Sequence, residues 1–133
     1  MNKFLNPDNL ATPSGYSHVA VSTGSRIIHV SGQVSYDSAG NIVGVGDLKK
    51  QTEQVYENIG RALEAAGATF ADVVKSIILI KQMTPEKVIT VRDVRQNYLT
   101  DTPPTSTLIS VDTLIKPELL VEIEVVAIPA DDR

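Results

Sequence analysis

Hydrophobic and polar positions change period several times along this chain, and each change marks an element. The first 15 residues carry Asn6, Pro7, Asp8, Asn9, Pro13 and Gly15, a turn-rich composition that predicts an irregular lead-in. Tyr16 to Val21 alternates and Arg26 to Val30 is rich in β-branched residues. With Ser22-Thr23-Gly24-Ser25 between them, the stretch predicts a β-hairpin. Gln33 to Tyr36 reads as a short extended piece, stopped by the turn signal Asp37-Ser38-Ala39-Gly40-Asn41.

From Asp47 the period shifts to that of a helix. Leu48, Val55, Ile59, Leu63 and Ala66 fall on one stripe, while Lys49, Lys50, Glu53, Glu57 and Glu64 lie off it. Asp47 is placed to cap the start and Gly67 to end the helix in the left-handed conformation. Thr69 to Asp72 has capping-box spacing for one short turn, and the apolar, β-branched run Val73 to Met83 predicts a buried strand. Thr84-Pro85 opens a second helix, with an apolar stripe at Val88, Val91, Val94/Arg95 and Tyr98. TPPTSTLISV and Leu119 to Ile128 predict two further strands; in the last, Val121, Ile123 and Val125 alternate against Glu122, Glu124 and Val126.

The order β-β-α-β-α-β-β suits an α+β domain: a mixed sheet with both helices packed on one face, since crossovers keep one hand. Nothing in the pattern is left to cover the other face. Further subunits are therefore expected to cover it.

Composition narrows the function. At 133 residues, 42% hydrophobic and 21% charged, one domain spanning 1–133 is expected, with a real core but little room for a private pocket. The absence of cysteine excludes disulfides, a thiolate nucleophile and Cys-ligated metal. Twelve Lys and Arg against 16 Asp and Glu give a net charge of −4 without a basic block, which argues against nucleic acid as a partner. No apolar run has signal or membrane-spanning length, so a cytoplasmic protein with no membrane association is expected.

Gly40, Gly44 and Gly46 precede a helix, but their spacing is neither the dinucleotide fingerprint nor a phosphate loop. His18 and His29 fall on the two hairpin strands, yet two imidazoles without a placed carboxylate make a poor metal site, and none is expected. Glu122 stands out more. It lies mid-strand between Val121 and Ile123, where a carboxylate is costly unless hydrogen-bonded or used, whereas Glu124 also suits a solvated position. Ser31 and Gly32 end a strand, and a glycine there lets a ligand approach the backbone.

GYSHVAVSTG, HVSGQV, GDLKKQTEQVYENIGRALEAAGAT and PPTSTLISVDTLIKPELLVEIEVVAIPA together resemble the RidA (YjgF) family of reactive enamine/imine deaminases, over essentially the whole chain. The resemblance implies a chorismate-mutase-like α+β fold and a homotrimer whose sheets line a central β-barrel. Small-molecule clefts would lie between adjacent subunits. It also implies hydrolysis of 2-aminoacrylate and related enamines or imines to a 2-keto acid and ammonia, without a cofactor. Such chemistry needs a cation for the substrate carboxylate, donors that hold the substrate, and an acid/base group with a positioned water.

By resemblance, Glu122 is the water-activating carboxylate, Tyr16 closes the cleft, Ser31 and Gly32 line it, and Thr107 stands where many members have cysteine or another small polar residue. Active deaminases carry an arginine in a Pro-Ala-Arg-Ser-type segment, which pairs bidentately with the substrate carboxylate. Here that segment is Pro103-Pro104-Thr105-Ser106-Thr107, so the arginine position holds Thr105. Glu122, Thr105 and Thr107 are thus the positions expected to carry chemistry, with Tyr16, Ser31, Gly32, Ser106 and Arg92 binding substrate. A replacement cation can come from Arg92, Arg95 or Arg26; alternatively, Thr105, Ser106 and Thr107 offer a row of hydroxyls for a neutral ligand. Two readings follow: a cofactor-free hydrolase of a small enamine or imine, or of a related small carbonyl compound, in a cleft between subunits; or a non-catalytic small-molecule-binding or regulatory trimer.

Overall fold

A computed structural model of the chain describes residues 1–132. Its elements in chain order are β1 (Asn2–Leu5), β2 (Val19–Ser22), β3 (Ile28–Gln33), α1 (Leu48–Ala65), a 3-10 turn (Phe70–Asp72), β4 (Val73–Lys81), α2 (Pro85–Arg95), β5 (Thr105–Val111) and β6 (Val121–Ala127). The helix signals in the sequence act where they were read. Asp47 caps α1 by accepting from the Lys50 N–H, Thr84 caps α2 through the Lys87 N–H with Pro85 following it, and Thr69 and Asp72 form the capping box. The turn at 37–41 closes through the Asp37 carboxylate, which accepts from the Ala39 and Asn41 N–H groups.

The expected hairpin is not formed. β2 pairs antiparallel with β1, from Asn2↔Ser22 to Leu5↔Val19, whereas β3 pairs with β6 in a different sheet. The lead-in therefore contains a strand, and the alternating stretch from Tyr16 is a strand only from Val19. Alternation sets which side chains share a face, and it leaves the partner strand open. Residues 17 and 18 are held instead by non-local bonds: the Ser17 N–H and hydroxyl donate to the Pro104 and Pro103 carbonyls (3.0 and 2.6 Å), and the His18 N–H donates to the Asn6 side chain.

The main sheet has the order β3-β6-β4-β5, with β4 and β5 parallel and joined by the α2 crossover. Both helices lie on one face, as the topology demanded. Val55, Ile59 and Leu63 of α1 and Val91 and Val94 of α2 share one core with Ile78 and Ile80 of β4 and Val121, Ile123 and Val125 of β6. Buried Gln51 ties this layer to the approach of β6: its amide donates to the Gly44 and Glu118 carbonyls and accepts from the Leu120 N–H (3.1, 2.8 and 2.9 Å). The opposite face presents Lys75, Ile77 and Leu79 of β4, Thr105, Thr107 and Ile109 of β5, and Glu122, Glu124 and Val126 of β6. Neither helix covers it, and Ile109 there is 40% exposed. No helix among the described residues is long and apolar enough to cross a membrane.

Candidate functional site

Period-two alternation in the strands sorts the expected site residues onto two sides of one sheet. Glu122 lies on the uncovered face, half-buried, opposite Leu79 of β4. Next to it β3 is irregular between Val30 and Gln33, and this irregularity sets Gly32 beneath the carboxylate. A Cβ at Gly32 would lie 2.1 Å from Glu122 Oε2 and 2.9 Å from its Cδ, so the carboxylate occupies the space that a side chain would fill. Ser31, the preceding residue in the chain, is exposed. Glu122, Ser31 and Gly32 therefore form one group.

Thr105 and Thr107 share that face but not that place. Thr105 is in register with Lys75 while Glu122 is in register with Leu79, four residues further along β4. At ordinary strand spacing that is roughly 13 Å along the strands and 10 Å across, or about 16 Å between backbones. The Thr105 hydroxyl is also occupied, donating to the Val74 carbonyl at 2.8 Å. The expected row of three hydroxyls is broken by the pleat: Ser106, in register with buried Ser76, turns to the helix side, and Thr105 and Thr107 turn away from it.

On the helix side, Tyr16, Ser106 and Arg92 come together with Ser14 and Arg95 around a cleft of about 150 Å³, walled by Val88, Val91 and Leu108. Arg92 and Arg95 stand one turn apart on α2 and so project to the same side. Tyr16 is set by the bonds of Ser17 to the segment before β5 and by the edge of the His18 ring, 5.3 Å away at 81°. Gly15 has φ +76°, and a Cβ on it would lie 2.6 Å from Arg95 Nη2, so the guanidinium packs directly against this backbone.

Behind Arg95 and Ser106 a smaller, aromatic niche is lined by Tyr56, Phe70 and Tyr98. Tyr56 and Tyr98 stack at 4.9 Å, and the Tyr98 hydroxyl donates to Glu57 (3.0 Å). Burial pushes the Tyr56 hydroxyl well up despite the nearby Arg95 cation; burial and the bond to Glu57 push Tyr98 up to about 12. Arg95 moves down, chiefly because burial disfavours its charge, with Arg92 adding repulsion and Tyr56 opposing both. Its Nε is buried and has no hydrogen-bond partner.

The remaining expectations resolve simply. His29 is exposed on β3, and His18 donates from Nε2 to the Ala11 carbonyl (2.6 Å). With the hairpin gone, the two imidazoles are not strand neighbours. Arg26 donates to the Ala66 carbonyl at the end of α1. Ser14 and Gly15 were missed because the irregular lead-in carries no periodic signal. The sequence signal for Arg95 was its place on the apolar stripe of α2.

Known proteins resemble this chain in sequence and fold over most of its length. The profile of the family described as Endoribonuclease L-PSP matches residues 7–129. A RutC family protein of Pyrococcus horikoshii is 32% identical over 127 residues, covering 96% of this chain and 98% of its own. A protein of the conserved Rid family from Yersinia pestis superimposes with a TM-score of 0.90 at 34% identity, over 96% of this chain and 98% of that one. RidA from an Antarctic Psychrobacter superimposes with a TM-score of 0.71 at 30% identity, over 90% and 92%.

Proposed function

The chain belongs to the Endoribonuclease L-PSP family, which includes the Rid and YjgF proteins, and from that premise we propose that it is a cytoplasmic, cofactor-free hydrolase of small enamines or imines. Its cleft is completed by neighbouring copies in a homotrimer. The observation that carries this reading is the placement of Glu122, a half-buried carboxylate at mid-strand, set over Gly32 on a sheet face that its own chain leaves uncovered. The wide separation of Glu122 from Thr105 and Thr107, and from Tyr16 across the sheet, supports a shared cleft. A substrate of a few atoms reaches both sets only where one copy's sheet face meets another copy's edge.

In this cleft Glu122 takes a proton from water as the water oxygen bonds to the imine carbon. That proton passes to nitrogen to give the carbinolamine; the proton of the new hydroxyl then also passes to nitrogen, the C–N bond breaks, and ammonia leaves as the carbonyl forms. Thr105 leaves the substrate carboxylate without the family's arginine, and its hydroxyl is already bonded to Val74. That observation favours the second reading, a trimer that binds small molecules without hydrolysing them. RNA cleavage fits less well: net charge is −4, and neither histidine has a partner imidazole suited to acid/base work.

The test supplies 2-aminoacrylate from a serine or cysteine lyase and follows pyruvate. Acceleration by the wild-type protein, reduced at least about 100-fold in Glu122→Gln, is expected of the hydrolase. Acceleration only after Thr105→Arg selects the binding protein instead. A sedimentation mass near 14.4 kDa, rather than about three times that, removes the shared cleft from both.

A further inference from the structure

The cleft between α2 and β5 holds two cations on the side of the sheet away from Glu122. Arg92 and Arg95 both border it, and neither this cavity nor the aromatic niche behind it has an Asp or Glu in its lining among the described residues. Arg95 Nε is buried without an acceptor, and its Nη2 is pressed against the backbone at Gly15, so the guanidinium is fixed rather than free to swing into solvent. The half-buried Arg95 cation, with the exposed Arg92 one turn away on the same helix, is unfavourable in the empty chain; an anion beside it reverses that. The Ser106 and Ser14 hydroxyls and Tyr16 add donors around the same space.

We propose that this cleft is a binding site for a small organic carboxylate, with Arg95 pairing to the carboxylate, Arg92 adding charge at its mouth, and the carbon chain lying on Val88, Val91 and Leu108. The planar fork of arginine matches a carboxylate oxygen pair. The apolar wall distinguishes an organic acid from inorganic phosphate, which has no carbon to place there. Size agrees too: a cavity of about 150 Å³ holds roughly six carbon-sized atoms. The proposal goes beyond the hydrolytic reading: it shares Tyr16 with the cleft proposed there, but its cations and apolar wall come from one copy and it does not use Glu122.

Butyrate is the probe, with butyramide as its neutral counterpart and phosphate and chloride as inorganic anions, read by calorimetric titration and by melting temperature at fixed protein concentration. Butyrate is expected to bind the wild type and Glu122→Gln alike, to bind Arg95→Gln and the exposed-site variant Arg92→Gln at least about tenfold more weakly, and to outbind butyramide by a similar factor. Since Arg92 is exposed, its variant keeps the test valid if Arg95→Gln does not fold. Equal binding of butyrate and butyramide, unchanged binding in Arg92→Gln and Arg95→Gln, or equal response to phosphate or chloride overturns the proposal. Loss of butyrate binding in Glu122→Gln would place the site in the shared cleft and also overturn it. Failure of the pyruvate assay alone leaves it standing.

Discussion

Glu122 and Arg95 lie on opposite sides of one four-stranded sheet and meet opposite surroundings. Glu122 projects from an alternating strand onto a face that no helix covers, with its carboxylate resting where Gly32 has no side chain. Arg95 projects from the apolar stripe of α2 into the helix layer, with its guanidinium against Gly15 at the niche that Tyr56 also lines, and with its Nε facing no acceptor. The first costs the single chain little and becomes a site when another copy closes over it. The second is desolvated already, so it costs stability in the empty chain and repays it when an anion binds.

Gln51 offers the hardest test of that contrast. It is as polar as a side chain can be without charge, fully buried on the helix side, and satisfied by three bonds to Gly44, Glu118 and Leu120. Gln51→Leu removes all three bonds; the Gly44 carbonyl keeps the Asp47 N–H, but the Glu118 carbonyl and the Leu120 N–H lose this partner, so a loss of about 2 kcal/mol is expected, seen as a lower urea midpoint at unchanged slope. A loss under about 0.5 kcal/mol would mean that missing partners cost little in this layer, and the energetic difference between Glu122 and Arg95 would disappear with it.

Gly32→Ala probes the other side. The added Cβ meets the end of a flexible side chain, so the Glu122 carboxylate shifts by an ångström or more while the fold stays intact. Hydrolysis is expected to fall about tenfold to 100-fold with stability within about 0.5 kcal/mol of wild type, because positioning errors of this size cost rate rather than folding energy. Unchanged turnover in the pyruvate assay would remove Gly32 from the positioning of Glu122.

Both helices were legible because a stripe agrees with a cap residue at each start, with Gly67 marking the end of α1 and Pro85 the first position of α2. Glu122 was legible for a related reason, as a carboxylate inside a clean alternation. Partnerships were not. β1 has only four residues, too few to show a period, and its pairing with β2 displaced the hairpin that the turn Ser22–Ser25 suggested. The Arg95 cleft is built by contacts distant in sequence, with Ser17 anchored to Pro103, 86 residues away, bringing Ser14, Gly15 and Tyr16 to α2. Local pattern shows an arginine on an apolar stripe; only the tertiary fold shows that no Asp or Glu among the described residues lines its cleft.

Arg95→Met separates a binding role from a structural one by the sign of a small effect. Methionine keeps an unbranched stem and fills irregular space readily, while it removes the guanidinium beside Gly15, the desolvated charge and its repulsion with Arg92. If Arg95 is retained for a ligand, the unliganded variant gains about 1 kcal/mol, a rise of roughly 4 °C in Tm for a chain of this length. Arg92→Met, at an exposed position, should change Tm by much less. A structural arginine gives the reverse, since its loss would lower Tm. A fall of even 2 °C, beyond ordinary scatter for a surface change, would therefore assign Arg95 to the packing of α2 and return the helix side of the sheet to a purely supporting part.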